Sequence, residues 1–298
     1  MNTQTTLLAA AILSITQAMT PVAAETLVGN DLNSAQGADP AIAALFSANR
    51  GTNGGGDQSL QFGDQLESGA EDDVLIGGLG TDLLFGGDGD DVIVGGTEDF
   101  NPFNRDFAFG EGGNDVFIWT PGDGNDFFDG GDGEDVLILS LVGETRDAAG
   151  NESSSPVFAV SPPNQPGSGD FDGIFLDPDT GLPVVNLVNS PGFCEVLDAA
   201  TSPEVAQGLN ELNMDHLVRF ILRGPANAFD SALAADPNLD PATLDNGLRV
   251  AVHLRNAEFV VCQSRSGEET EVFDLRDGAV VKTGVHVLPE PAYSLVTR

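Results

Sequence analysis

Residues 77–94 read GGLGTDLLF and then GGDGDDVIV, the same nine-residue phrase written twice in register. Glycine pairs and a further glycine lead to an aspartate at the sixth place, and three mostly apolar residues follow. The period continues in SGAEDDVLI (68–76), NPFNRDFAF (101–109), GEGGNDVFI (110–118), PGDGNDFFD (121–129) and GGDGEDVLI (130–138). It breaks at GGTEDF (95–100) and slips by two residues at Trp119 and Thr120. Self-similarity at a fixed short period marks a stacked repeat architecture.

The eighth place of the seven units holds Leu75, Leu84, Ile93, Ala108, Phe117, Phe128 and Leu137, a single apolar column. A three-residue strand turns its middle side chain to one face, so stacking the units aligns this column into a continuous interior. The glycines supply the backbone conformations that a reversal every nine residues demands. Successive units then lie on opposite walls, and parallel pairing joins strands two units apart.

Between residues 68 and 138 there are 18 Asp and Glu and one basic residue, Arg105. Stacking brings the sixth-place carboxylates of one edge to about one strand spacing, ~4.8 Å. Bare repulsion there is on the order of a few kcal/mol per pair at an effective dielectric of ~20, so a compact stack needs a cation. Calcium takes six to eight oxygens in flexible geometry from carboxylates and carbonyls, both of which Gly/Asp turns offer. Magnesium suits the pattern less well, and turns without His or Cys argue against zinc and copper. The competing reading is a Gly/Asp solenoid without metal.

GGLGTDLLF and GGDGDDVIV resemble the nonapeptide of hemolysin-type calcium-binding (RTX) proteins. The resemblance implies a parallel β-roll with several calcium ions bound between neighbouring turns on each edge. Carried over by position, the carboxylate ligands are Asp73, Asp82, Asp91, Asp115, Asp126 and Asp135, completed by carbonyls near Gly78, Gly80, Gly87, Gly89, Gly131 and Gly133. Unit 101–109 has no glycine, so Asp106 reads as a cap on the insertion; in 95–100 the sixth place is Phe100, so a ligand there would be Asp99, out of register. Family members commonly lack a cleaved N-terminal signal, which this chain carries.

That signal is read in LLAAAILSI (7–15), too short to span a bilayer, followed by PVAA and a mature start at Glu25. The expected organisation is a signal peptide at 1–24, a Gly-rich polar linker at 25–67, the roll at 68–141, a Pro/Ser-rich connector at 142–169 and a mainly β C-terminal domain at 170–298. Strand-like runs occupy 216–223, 248–254, 257–263 and 271–275, with short helices at 203–212 and 230–240. The fold class is therefore mainly β. Cys194 and Cys262 lack metal-site spacing and suit a disulfide in an exported protein, free thiols being the alternative.

The formal charge of −36, from 47 acidic and 11 basic residues, makes nucleic acid and anionic membrane poor partners. A secreted protein of a salty habitat is the other source of such a charge. No stretch is long enough for a membrane span, and neither GxSxG, HExxH nor a phosphate loop occurs. His216, His253 and His286 are isolated, and Asp170, Asp172, Asp177 and Asp179 read as an acidic turn or a further cation loop. The expectation is a secreted, extracellular calcium-binding protein, the periplasm being the other exported compartment. Its alternatives are an adhesin or matrix component acting on a protein or glycan through residues 150–298, and a secreted hydrolase with a calcium-binding module.

Overall fold

The computed structural model describes residues 62–78, 81–96, 105–121, 123–143, 174–222 and 250–298, with residue 24 and short strands at 26–28 and 35–36. Residues 1–23 of the expected signal peptide, Gly80, Asp99, Asp170, Asp172, most of the connector and the helix expected at 230–240 lie outside the described residues. Among the described residues no helix is long and apolar enough to cross a membrane.

The repeats wind as a parallel β-solenoid of about three turns. Strands β1 (Thr26–Val28), β4 (Val74–Gly78), β6 (Val92–Gly96), β8 (Val116–Trp119) and β10 (Val136–Leu139) form one wall. Strands β2 (Ala35–Gln36), β3 (Phe62–Ala70), β5 (Thr81–Asp88), β7 (Phe107–Gly112) and β9 (Phe127–Asp132) form the other. Pairing is parallel and joins strands two units apart: Leu75 opposes Ile93, Ile93 opposes Phe117 and Phe117 opposes Leu137. Each register break is absorbed in one turn, so corresponding aspartates are 18 residues apart at Asp73–Asp91, 24 at Asp91–Asp115 and 20 at Asp115–Asp135.

All seven eighth-place residues are fully buried between the walls. Burying a side chain of the size of Leu or Phe contributes about 1.5–3 kcal/mol, and no short strand could achieve it alone. Ala108 leaves room in its layer for Phe117 and Phe128, whose ring centroids are 5.5 Å apart.

Hydrogen bonding crosses the boundaries expected at 67 and 141. Strand β3 starts at Phe62, so that its first six residues lie in the expected linker, because Gln65, Leu66 and Glu67 pair with Leu83, Leu84 and Phe85 of β5. At the other end, strands β15 (Val250–Arg255) and β16 (Phe259–Gln263) add parallel to β9 and β10. Beyond them β17 (Thr270–Asp274) and β18 (Val281–Thr283) extend the first sheet antiparallel, and β14 (His216–Leu222) and β13 (Gly192–Asp198) extend the second. Both eight-stranded sheets therefore run from the repeats into the C-terminal half, because an unpaired last turn would expose its strand edges and core. A disulfide between Cys194 and Cys262, Cα atoms 6.1 Å apart, ties the two sheets together there.

The first sheet is covered on its outer face too. Val74, Val92, Val116, Val136 and their ninth-place neighbours pack beneath Ile174, Leu187, Leu288, Ala292 and Leu295. The helix Pro203–Leu212 forms where the sequence reading places it, with Pro at its first position and Asn213 in the left-handed conformation ending it.

Candidate metal centre

Every sixth-place aspartate turns inward at a bend of the roll, and all are buried. Two ladders result, one on each edge. On the first, the Asp73 amide donates to Asp91 Oδ1 at 2.7 Å, Asp91 to Asp115 Oδ1 at 2.9 Å, and Asp115 to Asp135 Oδ1 at 2.7 Å. The second runs from the Asp64 amide to Asp82 Oδ1, from Asp82 to Asp106 Oδ1 at 2.8 Å, and from Asp106 to Asp126 Oδ1 at 2.9 Å. One oxygen of each acceptor carboxylate thus anchors the turn stacked against it.

The other oxygen is the informative one. The Oδ2 atoms of Asp91, Asp106, Asp115 and Asp135 are buried and accept no hydrogen bond from the protein. They press against the first glycine of a repeat: a Cβ at Gly86 would collide with Asp91 Oδ2, and one at Gly110 would collide with both Asp115 Oδ2 and the Gly130 carbonyl. At these two positions only glycine leaves the space, without appeal to φ.

Buried charge without a counter-ion is costly, and the carboxyl groups respond. Burial, reinforced by neighbouring carboxylates, raises Asp91 and Asp135 to about 7 and Asp115 to about 8 from 3.8. Asp106 and Asp126 are raised well above the usual carboxylate range, mainly by burial and then by nearby aspartate charge. A hard cation bound to the inward oxygens reverses that penalty, so the donor set fits calcium.

The six expected carboxylates divide between the edges: Asp73, Asp91, Asp115 and Asp135 on one, Asp82 and Asp126 on the other. Gly78, Gly87, Gly89, Gly131 and Gly133 have positive φ, and a Cβ added at Gly96 or Gly113 would collide with the carbonyl of Gly78 or Gly89 on the neighbouring turn.

Four further carboxylates belong to the arrangement. Asp106 is a full member of the second ladder and not a cap, since it accepts the Asp82 amide and its own amide donates to Asp126. Asp64 stands 18 residues before Asp82, one full turn, with Leu66 in the core two places later; that spacing was available in the sequence. Asp123, at the third place of its unit, is fully buried with Asp106 and Asp126, donor atoms of the three lying within 4.8 Å of one another. Glu258 accepts the Asp135 amide at 2.8 Å, ending the first ladder from a segment with no repeat signal.

Away from the roll, Asp177 accepts the Asp179 amide at 2.8 Å within an exposed turn, ordinary turn chemistry. His216 is buried opposite Asp198 on β13, and burial lowers its pKa.

Residues 62–99 and 122–140 match the family model of the RTX calcium-binding nonapeptide repeat, in four copies. No curated protein and no solved structure gives a match to the chain. The chain thus carries RTX-type repeats, and calcium is the cofactor of such repeats.

Proposed function

We propose that the protein is a secreted calcium binder whose roll folds as calcium enters the stacked turns. Asp73, Asp82, Asp91, Asp115, Asp126 and Asp135 hold the ions, with backbone carbonyls of the glycine bends completing the shells. The observation that carries this reading is the inward Oδ2 atoms of Asp91, Asp106, Asp115 and Asp135, buried carboxylate oxygens that accept no hydrogen bond from the protein. Ion binding then contributes directly to folding, because the unfolded chain has no assembled site. Export through the N-terminal segment places the chain where calcium is plentiful and suits its disulfide.

The test is far-UV circular dichroism of residues 25–298 titrated with calcium from a chelated start, magnesium serving as control. A cooperative gain of β signal with calcium alone is expected. A spectrum indifferent to calcium would end the folding reading. N-terminal sequencing of the exported chain checks the cleavage before Glu25.

A further inference from the structure

We propose that the outer face of the second sheet is a docking surface for a cationic segment of a partner protein, one in which arginine and apolar residues alternate. Strand alternation turns the seventh and ninth places of a unit away from the core that the eighth place fills. On β5, β7 and β9 those places hold Leu83, Phe85, Phe107, Phe109 and Phe127, all partly exposed. The parallel register sets Leu83, Phe107 and Phe127 in one cross-strand row and Phe85 beside Phe109 in the next. The Phe85 and Phe109 rings stack with centroids 5.0 Å apart, and Phe109 meets Phe127 edge-on at 5.6 Å. The corresponding places of the first sheet are covered by Ile174, Leu187, Leu288 and Leu295. Among the described residues, β5, β7 and β9 pack extensively only against other strands, and the helix Pro203–Leu212 packs on the same sheet farther along, at β13 and β14.

A contiguous apolar stripe rimmed by charge marks a protein-interaction site, and the charge here selects the occupant. Glu67 on β3 is exposed and stands opposite Phe85, and Asp88 and Glu111, farther along β5 and β7, are exposed too. Arg105 is exposed at the other end of β7, so the acidic rim lies at one end of the strands. The fold itself shows which group suits the stripe. The Arg255 guanidinium lies 5.6 Å from the Phe127 ring centroid and pairs with Asp129, which stands beside Phe109 in the ninth-place row. Arginine thus meets a ring and a carboxylate together at the last rung, an arrangement that its planar guanidinium favours. Phe85 and Glu67 repeat that pairing of ring and carboxylate at the opposite end of the stripe. Glu67 accepts a hydrogen bond from Gln65, but among the described residues no basic side chain pairs with it. A second copy of the chain is a poor occupant, because two molecules of formal charge −36 repel.

Calorimetry of the calcium-saturated chain with a synthetic peptide of alternating arginine and leucine, at physiological ionic strength, tests this. A peptide of equal charge with serine in place of leucine should bind about tenfold more weakly. Phe109→Ser should weaken the leucine peptide about tenfold while calcium uptake stays unchanged. The same peptide carrying a photoreactive leucine should crosslink to β5, β7 and β9. Equal affinity for the two peptides would reveal bulk charge attraction only and overturn the proposal, as would unchanged affinity in a folded Phe109→Ser. Crosslinks confined to other strands would overturn it even if that variant fails to fold. A wild-type dimer that Phe109→Ser abolishes would give the face to a second copy, and wild type that binds neither peptide would leave the rings as a support of the coil. Either result overturns the proposal.

Discussion

The bends between Asp64 and Asp135 and the bend that ends at Glu258 share one backbone plan but solve its electrostatics in opposite ways. In the repeats, Gly133, Glu134 and Asp135 join β9 to β10, and the inward Oδ2 atoms of Asp91, Asp106, Asp115 and Asp135 accept no hydrogen bond from the protein. In the closing bend Asn256, Ala257 and Glu258 join β15 to β16. Arg255 stands opposite Asp129 in the parallel register and its guanidinium pairs with that carboxylate. Arg276 pairs with Glu134 at 2.8 Å and Asp274 at 2.7 Å, while its guanidinium lies 4.7 Å from the Phe259 ring centroid. Eight of the chain's eleven basic residues fall in 170–298. Compensation by a soluble ion makes the stack conditional on that ion. Compensation by a tethered guanidinium does not. On that ground the C-terminal half is expected to hold its fold without calcium and to serve as an end plate for the conditional turns.

The largest expected effect breaks the molecule along this line. Chelating calcium should abolish amide protection in hydrogen exchange over residues 73–138 while residues 192–222 and 259–283 retain theirs. Uniform loss across both would show that arginine and calcium bends are one cooperative unit.

Acid should partly replace the ion. Asp91, Asp115 and Asp135 have folded-state pKa values raised to about 7, 8 and 7 from 3.8. A group raised on folding adds stability below its unfolded pKa and loses it as pH climbs through the folded value. Calcium-free protein should therefore gain β signal as pH falls from about 8 toward about 4, and calcium should remove that dependence at neutral pH. A calcium-free spectrum that does not change over this range would contradict the burial argument.

Reducing Cys194–Cys262 frees a span of 68 residues and should lower stability by about 4 kcal/mol in the chain-entropy description. Urea unfolding of calcium-loaded protein with and without reductant measures it. The smallest effects sharpen the comparison at single residues. Arg255→Ala leaves the largely buried Asp129 carboxylate without its guanidinium and should cost about 1–2 kcal/mol. Arg276→Ala, at a more exposed pair, should cost about 0–1 kcal/mol. Both losses should persist in saturating calcium; disappearance there would mean that calcium can take the place of arginine.

Some of this was legible in residue order alone. The nine-residue period carries the core column, the alternation of walls and the pairing two units apart, because each follows from local turn and strand geometry repeated without gaps. The bend residues were less legible. Unit 68–76 keeps one glycine, yet Glu71 adopts φ 88 and Glu111 adopts φ 75 in bends of the same shape. Stacking against complete neighbours overrides the preference of a single residue. Asp123 shows the converse, a carboxylate at a permissive position that a two-residue slip turns inward.

Residue order determined the roll, its acidic lining and the ion class that suits it, since these depend on contacts that recur every nine or eighteen positions. Tertiary structure alone decided where the roll ends and what ends it. Glu258 lies 123 residues from Asp135 and Arg255 lies 126 from Asp129, and no local pattern encodes a partner met only after the intervening chain has returned to the sheet.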